Sequence, residues 1–197
     1  MGIGDDSEAR AYGAGLLAGD RIRLRALEEH DLPALVGWWR SPEWAVLQQL
    51  IVTPRPSGAV EEQFRLWSRN EKAGEVGFCV VDKASDELVG HVTLYGATLP
   101  ARSGTLTVMI GGEFVGRGYG LDAVRTLTAY GFREMGLNRI EIGVMAFNLR
   151  ARAVYRKAGY VEEGVRREAV FHDGAFHDHV IMSTLASEWR AASVQVR

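Results

Sequence analysis

The sequence lacks several features that would place it in particular protein classes. It contains one cysteine, Cys79, in 197 residues, so no intrachain disulfide can form. No apolar run approaches the roughly 20 residues that a helix needs to cross a bilayer. The segment Met1–Arg10 is small and acidic rather than basic and then apolar, as a secretion signal would be. We therefore expect a cytoplasmic protein that is not inserted in a membrane, with Cys79 as a small buried apolar side chain.

An excess of positive charge is also missing. The formal net charge is -2 at pH 7, which argues against nucleic acid as a partner, because phosphate backbones are bound through many Lys and Arg contacts. Hydrophobic residues make up 47% and charged residues 24%, a composition typical of a globular protein. We expect a single domain over 20–190, a flexible lead-in over 1–19 and a C-terminal tail over 191–197.

Hydrophobic periodicity predicts an α+β fold around a central mixed sheet. The predicted helices cover 31–40, 58–70, 121–135 and 148–158. The segment 41–57 holds three prolines and is predicted to be a loop or a broken helix. An Asp-Gly pair at 173–174 predicts a hairpin near the C-terminus. The predicted strands cover 21–27, 76–81, 88–95, 105–110, 139–145, 161–171 and 176–185.

The segment Gly116-Arg117-Gly118-Tyr119-Gly120, the glycine turn, leads from a predicted strand into a predicted helix. Alternate glycines let the backbone approach a ligand closely. The first turn of a helix offers unpaired N–H groups and partial positive charge. The glycine turn is therefore suited to bind phosphate, although a glycine-rich loop without a ligand remains an alternative.

Two nucleotide-binding motifs fit the glycine turn poorly. A dinucleotide fingerprint that starts at Gly116 needs glycine at position 121, where the sequence has Leu121. A fingerprint that starts at Gly118 ends on Ala123 instead of glycine. The Gly-Lys-Ser/Thr step of a nucleoside triphosphate loop does not occur in the sequence.

A second group of polar residues lies on the helix predicted after 145. Asn148 is a good N-cap residue, and Tyr155 follows seven residues later, which places both side chains on one helix face. An amide and a phenol aligned in this way could flank the polar atoms of a ligand. The alternative is a capping Asn with a half-buried core Tyr.

Together these features resemble the GNAT acetyltransferase superfamily. The glycine turn is similar to its pyrophosphate loop and 148–160 to its second cofactor-side motif, and the resemblance extends over 21–189. The sequence departs from the usual pattern at Val115, where a polar residue is common, and at Ala151 and Ala153. The segments 163–168, 173–174 and 177–178 resemble the branch that acetylates the N-termini of ribosomal proteins.

The resemblance implies a GNAT-like fold, with a mostly antiparallel sheet of about seven strands flanked by about four helices. It also implies an acetyl-CoA-dependent N-acetyltransferase without a metal, which acts directly on the primary amine of a protein N-terminus or a small molecule. A non-catalytic acyl-CoA-binding module is the alternative. The oligomeric state stays open, although relatives often form a homodimer. The implied coenzyme-binding residues are Val108, Met109, Ile110, Val115, Gly116, Arg117, Gly118, Tyr119, Gly120, Leu121, Asn148 and Tyr155.

The same resemblance suggests catalytic roles. Tyr155 would protonate the departing thiolate, and Asn148 would bond to the pantetheine arm or to an ordered water. Glu113 is the first candidate for the general base, ahead of Glu141, and a solvated loop carboxylate is the alternative for Glu113. His91 could relay protons, but it is more simply a satisfied core histidine.

The acceptor pocket is expected to involve three tryptophans and the loop 41–56, with the last hairpin opposite. Core packing is the alternative for the tryptophans, which are Trp38, Trp39 and Trp44. The last hairpin is rich in His and Asp, and a lining role in the substrate cleft is favoured over a zinc site. Its polar residues are His172, Asp173, His177, Asp178 and His179.

Overall fold

The computed structural model describes residues 2–195, in which seven strands form one mixed sheet of order β1-β2-β3-β4-β5-β7-β6. The only parallel pair of neighbours among these strands is β4 and β5. The predicted mixed, mostly antiparallel sheet is therefore confirmed. The strands are β1 Ile22–Arg25, β2 Val76–Asp82, β3 Leu88–Thr98, β4 Ser103–Ile110, β5 Arg139–Met145, β6 Val161–His172 and β7 Ala175–Leu185.

The described residues form seven α-helices, rather than the predicted four or so. Short 3-10 turns at Glu29–Asp31 and Gly112–Phe114 precede α2 and α5. No helix within residues 2–195 is long and apolar enough to cross a membrane. The helices are α1 Asp6–Gly15, α2 Leu32–Arg40, α3 Pro42–Gln48, α4 Ser57–Trp67, α5 Tyr119–Arg133, α6 Leu149–Lys157 and α7 Ala186–Gln195.

Both ends of the chain are more helical than predicted. The segment 1–19, predicted to be a flexible lead-in, contains α1, which begins where the Asp5 carboxylate accepts a hydrogen bond of 2.8 Å from the Glu8 amide. Tyr12 of α1 donates a hydrogen bond to Glu134 of the domain. The predicted tail 191–197 includes the end of α7, and its last two residues lie outside the described part of the chain. A local cap and a distant contact therefore stabilise α1. The amino-acid composition of segment 1–19 did not indicate this helix.

The proline-containing segment 41–57 is a broken helix, one of its two predicted forms. Pro42 occupies the first turn of α3, where the absence of an N–H group does no harm. Beyond Gln48 the chain leaves the helix, and Pro54 and Pro56 lie in the irregular stretch before α4. One face of this short helix, α3, lies beside the end of β4.

Strands β4 and β5 separate after only three residue pairs. They pair from Ser103 opposite Arg139 to Thr105 opposite Glu141, and no further pairing is present. Strand β4 continues to pair with β3 as far as Ile110, while β5 continues with β7. The later half of β4 therefore has one backbone edge without a neighbouring strand, and the sheet opens there.

Asp31 opens the predicted helix 31–40, but its side chain makes no capping hydrogen bond to α2. Its carboxylate accepts hydrogen bonds of 2.7 Å from each of two Arg25 nitrogens and one of 2.8 Å from the Glu28 amide. Burial alone would raise the pKa of Asp31, but these hydrogen bonds outweigh burial and lower it. The thiol of Cys79 also donates to Asp31, and burial raises the pKa of this thiol. Cys79 is fully buried, as expected.

We expect Asp31→Asn to lower the free energy of unfolding by about 2–3 kcal/mol, because it leaves Arg25 without its buried carboxylate. Since the folded state lowers the pKa of Asp31, the carboxylate stabilises the protein above its unfolded pKa of about 3.9. This contribution is lost as the pH falls through and below that value. Urea unfolding at pH 7 and pH 3.5 measures the difference. Asp86→Asn, which removes an exposed pair with Arg23, is the control, and an equal loss in both variants would contradict the assignment.

Candidate functional site

A cleft of about 310 Å³ opens where β4 and β5 separate. The end of β4, the glycine turn, the start of α5 and one face each of α3 and α6 form its walls. Of the twelve predicted coenzyme-binding residues, ten line the cleft. They are Val108, Met109, Ile110, Val115, Gly116, Gly118, Gly120, Leu121, Asn148 and Tyr155.

The glycine turn has a backbone that favours glycine at two positions. Gly116 has φ 86° and Gly118 has φ 90°, both in the left-handed region that other residues enter at a cost. Gly118 is the N-cap of α5, and no side chain caps that helix end. The N–H groups of the first turn of α5 are thus not bonded to a capping side chain, and this end of α5 adjoins the cleft. This arrangement can bind an anion.

The other two predicted residues of the turn, Arg117 and Tyr119, are not among those that line the cleft. The guanidinium group of Arg117 lies 5.5 Å from the centroid of the Phe114 ring. Tyr119 is buried in the apolar core, and its hydroxyl donates a hydrogen bond to Asp82. For both residues, a contribution to coenzyme binding stays a prediction.

Asn148 and Tyr155 are brought together by α6, as the spacing predicts. The Asn148 side-chain oxygen accepts a hydrogen bond of 3.1 Å from the Ala151 amide, which confirms the predicted cap. Its side-chain nitrogen donates to the Leu47 carbonyl at 3.4 Å, which connects α6 to α3. The Tyr155 side chain is deeply buried, and burial raises the pKa of its hydroxyl. This hydroxyl therefore keeps its proton at neutral pH.

The two candidate bases and the candidate proton relay, His91, are not among the residues that line the cleft. Glu113 is exposed, and its carboxylate accepts a hydrogen bond of 3.1 Å from the Trp38 indole. Glu141 is held at 3.2 Å by Arg139. His91 is buried, bonded to the Ser68 hydroxyl at 2.8 Å, and burial lowers its pKa to about 3. His91 is thus the satisfied core histidine expected from the sequence.

Two cations line the cleft that sequence reasoning did not identify. Arg150 and Lys157 lie on α6, and the Arg150 guanidinium is 5.2 Å from the centroid of the Trp44 ring. They are seven residues apart, so their common helix face could have been recognised from their spacing. Within the described chain, no Asp or Glu is among the residues that line the cleft. The cleft is therefore suited to an anionic ligand.

Of the three predicted tryptophans, only Trp44 lines the cleft. Trp39 packs with Phe64 and Trp67 at ring centroid distances of 6.0 and 5.3 Å. The indoles of Trp38 and Trp44 approach the backbone closely, because a Cβ atom at Gly111 or Gly112 would lie 2.4 or 2.2 Å from them. Core packing thus explains Trp39, whereas Trp44 borders the site.

The last hairpin turns at Asp173 and Gly174, whose φ values of 52° and 70° confirm the predicted Asp-Gly turn. The His172 ring nitrogen lies 3.2 Å from the Gln49 carbonyl oxygen, so the hairpin contacts the chain just after α3. His177 in turn lies 3.2 Å from the His172 carbonyl oxygen. Residues 2–192 contain no group of three or more His, Cys, Asp or Glu side chains placed to hold a metal ion.

The fold has counterparts among solved structures. A spermidine N-acetyltransferase from Vibrio cholerae, crystallised with CoA and spermine, superposes with a TM-score of 0.77 at 27% identity. The match covers 86% of this chain and 98% of that one. A GNAT-family acetyltransferase from Bacillus anthracis shares the fold at 19% identity, with a TM-score of 0.74 over 87% of this chain and 98% of that one.

Sequence comparison points to the same family. The chain is 36% identical to the probable N-acetyltransferase YjcK of Bacillus subtilis (strain 168) over 97 residues. The aligned residues cover 47% of this chain. The match spans about half, 51%, of that curated relative. The family model of the acetyltransferase (GNAT) domain matches residues 21–161, which is well over half of the chain and includes the glycine turn and Tyr155. The chain therefore belongs to the GNAT acetyltransferase family.

Proposed function

We propose that the protein is an acetyl-CoA-dependent N-acetyltransferase that moves the acetyl group directly from the thioester to a primary amine. The observation that carries this proposal is the combination found in one cleft. An unpaired strand edge, a glycine turn at a helix N-terminus and a buried, protonated Tyr155 all border the same space. Family membership supports the same reaction.

The proposed roles follow from this arrangement. The pyrophosphate of the cosubstrate binds the N–H groups between Val115 and Leu121, and its pantetheine arm adds to the open edge of β4 at Val108–Ile110. A backbone N–H near Ile110 polarises the thioester carbonyl. Asn148, whose side chain already bonds to Ala151 and Leu47, fixes the start of α6 beside the arm.

The chemical step needs two proton transfers. The neutral amine attacks the carbonyl carbon, a C–N bond forms, and the C–S bond breaks as the intermediate collapses. Tyr155 gives its proton to the departing thiolate, and the nitrogen loses a proton to a base. Because Glu113 is exposed and lies outside the cleft, we propose that it accepts this proton through water.

The acceptor is a protein N-terminus or a small-molecule amine. Similarity to the spermidine N-acetyltransferase makes polyamines a candidate class, while segment 163–168 favours the branch that acetylates ribosomal-protein N-termini. We further propose a cytoplasmic enzyme, without a nucleic-acid or membrane partner, that can form a homodimer.

The direct test incubates the purified protein with acetyl-CoA and a panel of primary amines, and measures release of free thiol. The proposal predicts release above the protein-free rate for at least one amine, with a matching acetylated product by mass spectrometry. Amine-independent rates throughout the panel would count against an enzyme.

The second candidate function is a non-catalytic acyl-CoA-binding module. The absence of any carboxylate among the described residues lining the cleft favours it, because no base borders the reacting position directly. It predicts that CoA raises the melting temperature whereas no amine is acetylated. Stabilisation by CoA but not by ATP or NAD would separate both candidates from a general nucleotide binder.

Lys157→Gln should weaken CoA binding about fivefold, because it removes one of the two cations that line the cleft in which we place the phosphates. The loss should shrink at high salt, since screening reduces the contribution of the charge in the parent protein. Calorimetric titration at 50 and 500 mM salt measures both effects. Lys72→Gln, whose lysine is exposed and paired with Glu75 outside the cleft, is the control. A salt-independent loss would argue against an electrostatic role for Lys157.

A further inference from the structure

We infer that the acceptor amine enters the sheet between β4 and β5 from the face opposite α5 and α6, and that His179 accepts a proton from it there. The inference rests on the proposed function and adds a catalytic residue to that site. The gap, as used here, is the space between the two strands beyond Thr105 and Glu141, the last pair that they form. The sheet face that carries His179 is called here the His179 face.

The strand pairing places His179 and Glu141 on one face of the sheet. Residues directly opposite each other in neighbouring strands share a face, and every second residue of a strand returns to it. Met145 of β5 is opposite His179 of β7, and Glu141 lies on the same face four residues earlier in β5. The residues between them in both strands point to the other face, where they are buried in the core with α5 and α6. They are Ile140, Ile142, Val144, Val180 and Met182.

The gap is accessible to solvent from the His179 face. Gly143 and Thr107 follow the last pair by two residues in β5 and β4, lie on this face and are exposed. On the other face, α5 and α6 cover the sheet and border the cleft in which we place the cosubstrate. An acceptor that approaches from the His179 face therefore reaches the thioester without displacing the cosubstrate.

The imidazole of His179 lies directly over Gly143. A Cβ atom at Gly143 would be 2.4 Å from Cε1 and 2.7 Å from Nε2 of the ring, so the absence of a side chain there makes room for the imidazole. Tyr155 lines the cleft from α6, which packs on the other face. The group that protonates the sulfur and the group that accepts a proton from the nitrogen are thus on opposite faces of the sheet.

The His179 ring has nitrogen atoms available for a ligand. Neither of them makes a hydrogen bond to another residue within 2–192. His91, His172 and His177, by contrast, each lie within 3.2 Å of a hydroxyl or backbone carbonyl oxygen. A neutral imidazole has one nitrogen that donates and one that accepts. His179 can therefore accept an N–H group of an amine without first losing a partner in the protein.

The charges around His179 keep this acceptor available at neutral pH. Burial lowers the pKa of His179, Arg166 of β6 lowers it further, and Glu141 of β5 raises it. Glu141 is itself paired with Arg139 at 3.2 Å. The net effect is a pKa below the ordinary histidine value, so the ring is mostly neutral at pH 7.

The proposed role precedes the proton transfer assigned to Glu113. A primary amine has a pKa of about 8 as an α-amino group and about 10.4 as an alkylamine, so it arrives mainly as an ammonium ion. It must lose one proton before it attacks, and Glu113 takes a second proton only after the C–N bond has formed. His179 accepts the first proton: an ammonium N–H bond breaks, a ring nitrogen gains the proton, and the partly exposed imidazolium releases it to water.

The experiment measures kcat/KM and CoA affinity of His179→Gln. The acceptor is whichever of three amines the parent protein acetylates fastest: a peptide with a free α-amino group, spermidine or propylamine. We expect kcat/KM at pH 7 to fall at least about tenfold, since only about a tenth of an amine with a pKa near 8 is neutral at that pH. CoA affinity and melting temperature should not change. His30→Gln removes a 76% exposed histidine side chain outside the hairpin and should keep the parent kcat/KM.

The pH dependence separates proton transfer from a structural role. The parent protein uses the ammonium form of the acceptor, whereas His179→Gln uses only the fraction that is already neutral. The ratio of the parent to the variant kcat/KM should therefore fall about tenfold between pH 7 and pH 8, as the neutral fraction grows relative to the ammonium form. A ratio that stays constant over this range would overturn the inference.

Gly143→Ala tests the position of the ring without removing it. The new Cβ atom displaces the imidazole, and the backbone accepts alanine because Gly143 is not among the glycines with positive φ. We expect kcat/KM to fall about fivefold in the parent protein. The same substitution should have no effect in His179→Ala, where no ring remains to be displaced. An equal fall in both backgrounds would contradict the assigned position of the ring.

The remaining outcomes distinguish this inference from the proposed function. Parent kcat/KM in His179→Gln, or a loss of CoA affinity or melting temperature that accounts for its lower activity, would remove His179 from catalysis and leave the acetyltransferase intact. A lack of transfer to all three amines by a protein that still binds CoA would overturn the proposed function together with the inference.

Discussion

Tyr155→Phe is expected to lower kcat by about 100-fold or more and to leave the affinity for CoA unchanged. General acid catalysis contributes at least about this factor, and the substitution removes only the hydroxyl from a side chain that lines the cleft. Because burial raises the pKa of Tyr155, the hydroxyl holds its proton at all pH values below its normal range near 10. No alkaline loss of activity through this residue is therefore expected between pH 7 and 9.

Tyr160→Phe is the matched control for Tyr155. Tyr160 is equally buried in the same core, but its hydroxyl bonds to the Thr128 hydroxyl at 2.8 Å and it does not line the cleft. The control should lose about 1 kcal/mol of stability with the hydrogen bond and keep its kcat. Single-turnover rates and CoA titrations of both variants make the comparison. Equal kcat values for Tyr155→Phe and the parent protein would remove Tyr155 from the role of proton donor.

Gly120→Asp is expected to weaken CoA binding by about 100-fold, because it places a negative charge where the pyrophosphate binds. Folding should be unaffected. A Cβ atom at Gly120 has space, with its nearest neighbour, a side-chain carbon of Ile110, at 3.5 Å. A carboxylate in the first turn of α5 also interacts favourably with the helix dipole. Loss of binding would therefore report the anion site and not unfolding.

The control for this variant is Gly58→Asp in the first turn of α4. A Cβ atom at Gly58 meets nothing within 4 Å, and Gly58 does not line the cleft. Both variants should keep the parent melting temperature within a few degrees, and only Gly120→Asp should lose the stabilisation that CoA provides. Retained CoA affinity in Gly120→Asp would place the pyrophosphate away from the glycine turn.

The parts of the site that could be predicted are those with local causes. The cap by Asn148, the left-handed glycines of the turn and the Asp-Gly hairpin each depend on a few neighbouring residues. Their physical reasons are visible in the sequence itself. The spacing of Asn148 and Tyr155 on one helix follows equally from the helical period.

The parts that could not be predicted depend on contacts between distant segments. The separation of β4 from β5 after Thr105 arises from the pairing of whole strands. The position of α3 beside α6 depends on contacts such as that between Asn148 and the Leu47 carbonyl, 101 residues apart in sequence. For the same reason the sequence did not reveal that Leu47 and Gln48 of α3 line the cleft, since these residues belong to no periodic or motif-like pattern.

The central claim is that this cleft transfers an acetyl group from acetyl-CoA to a primary amine. The most direct test measures CoA release and acetylated amine in the same reaction, for the parent protein and for Gly120→Asp. The claim predicts equal amounts of CoA and acetylated product from the parent protein, and rates of formation of both that are about 100-fold lower in the variant at acetyl-CoA concentrations well below the parent KM. CoA release without acetylated amine, or unchanged transfer by the variant, would contradict it.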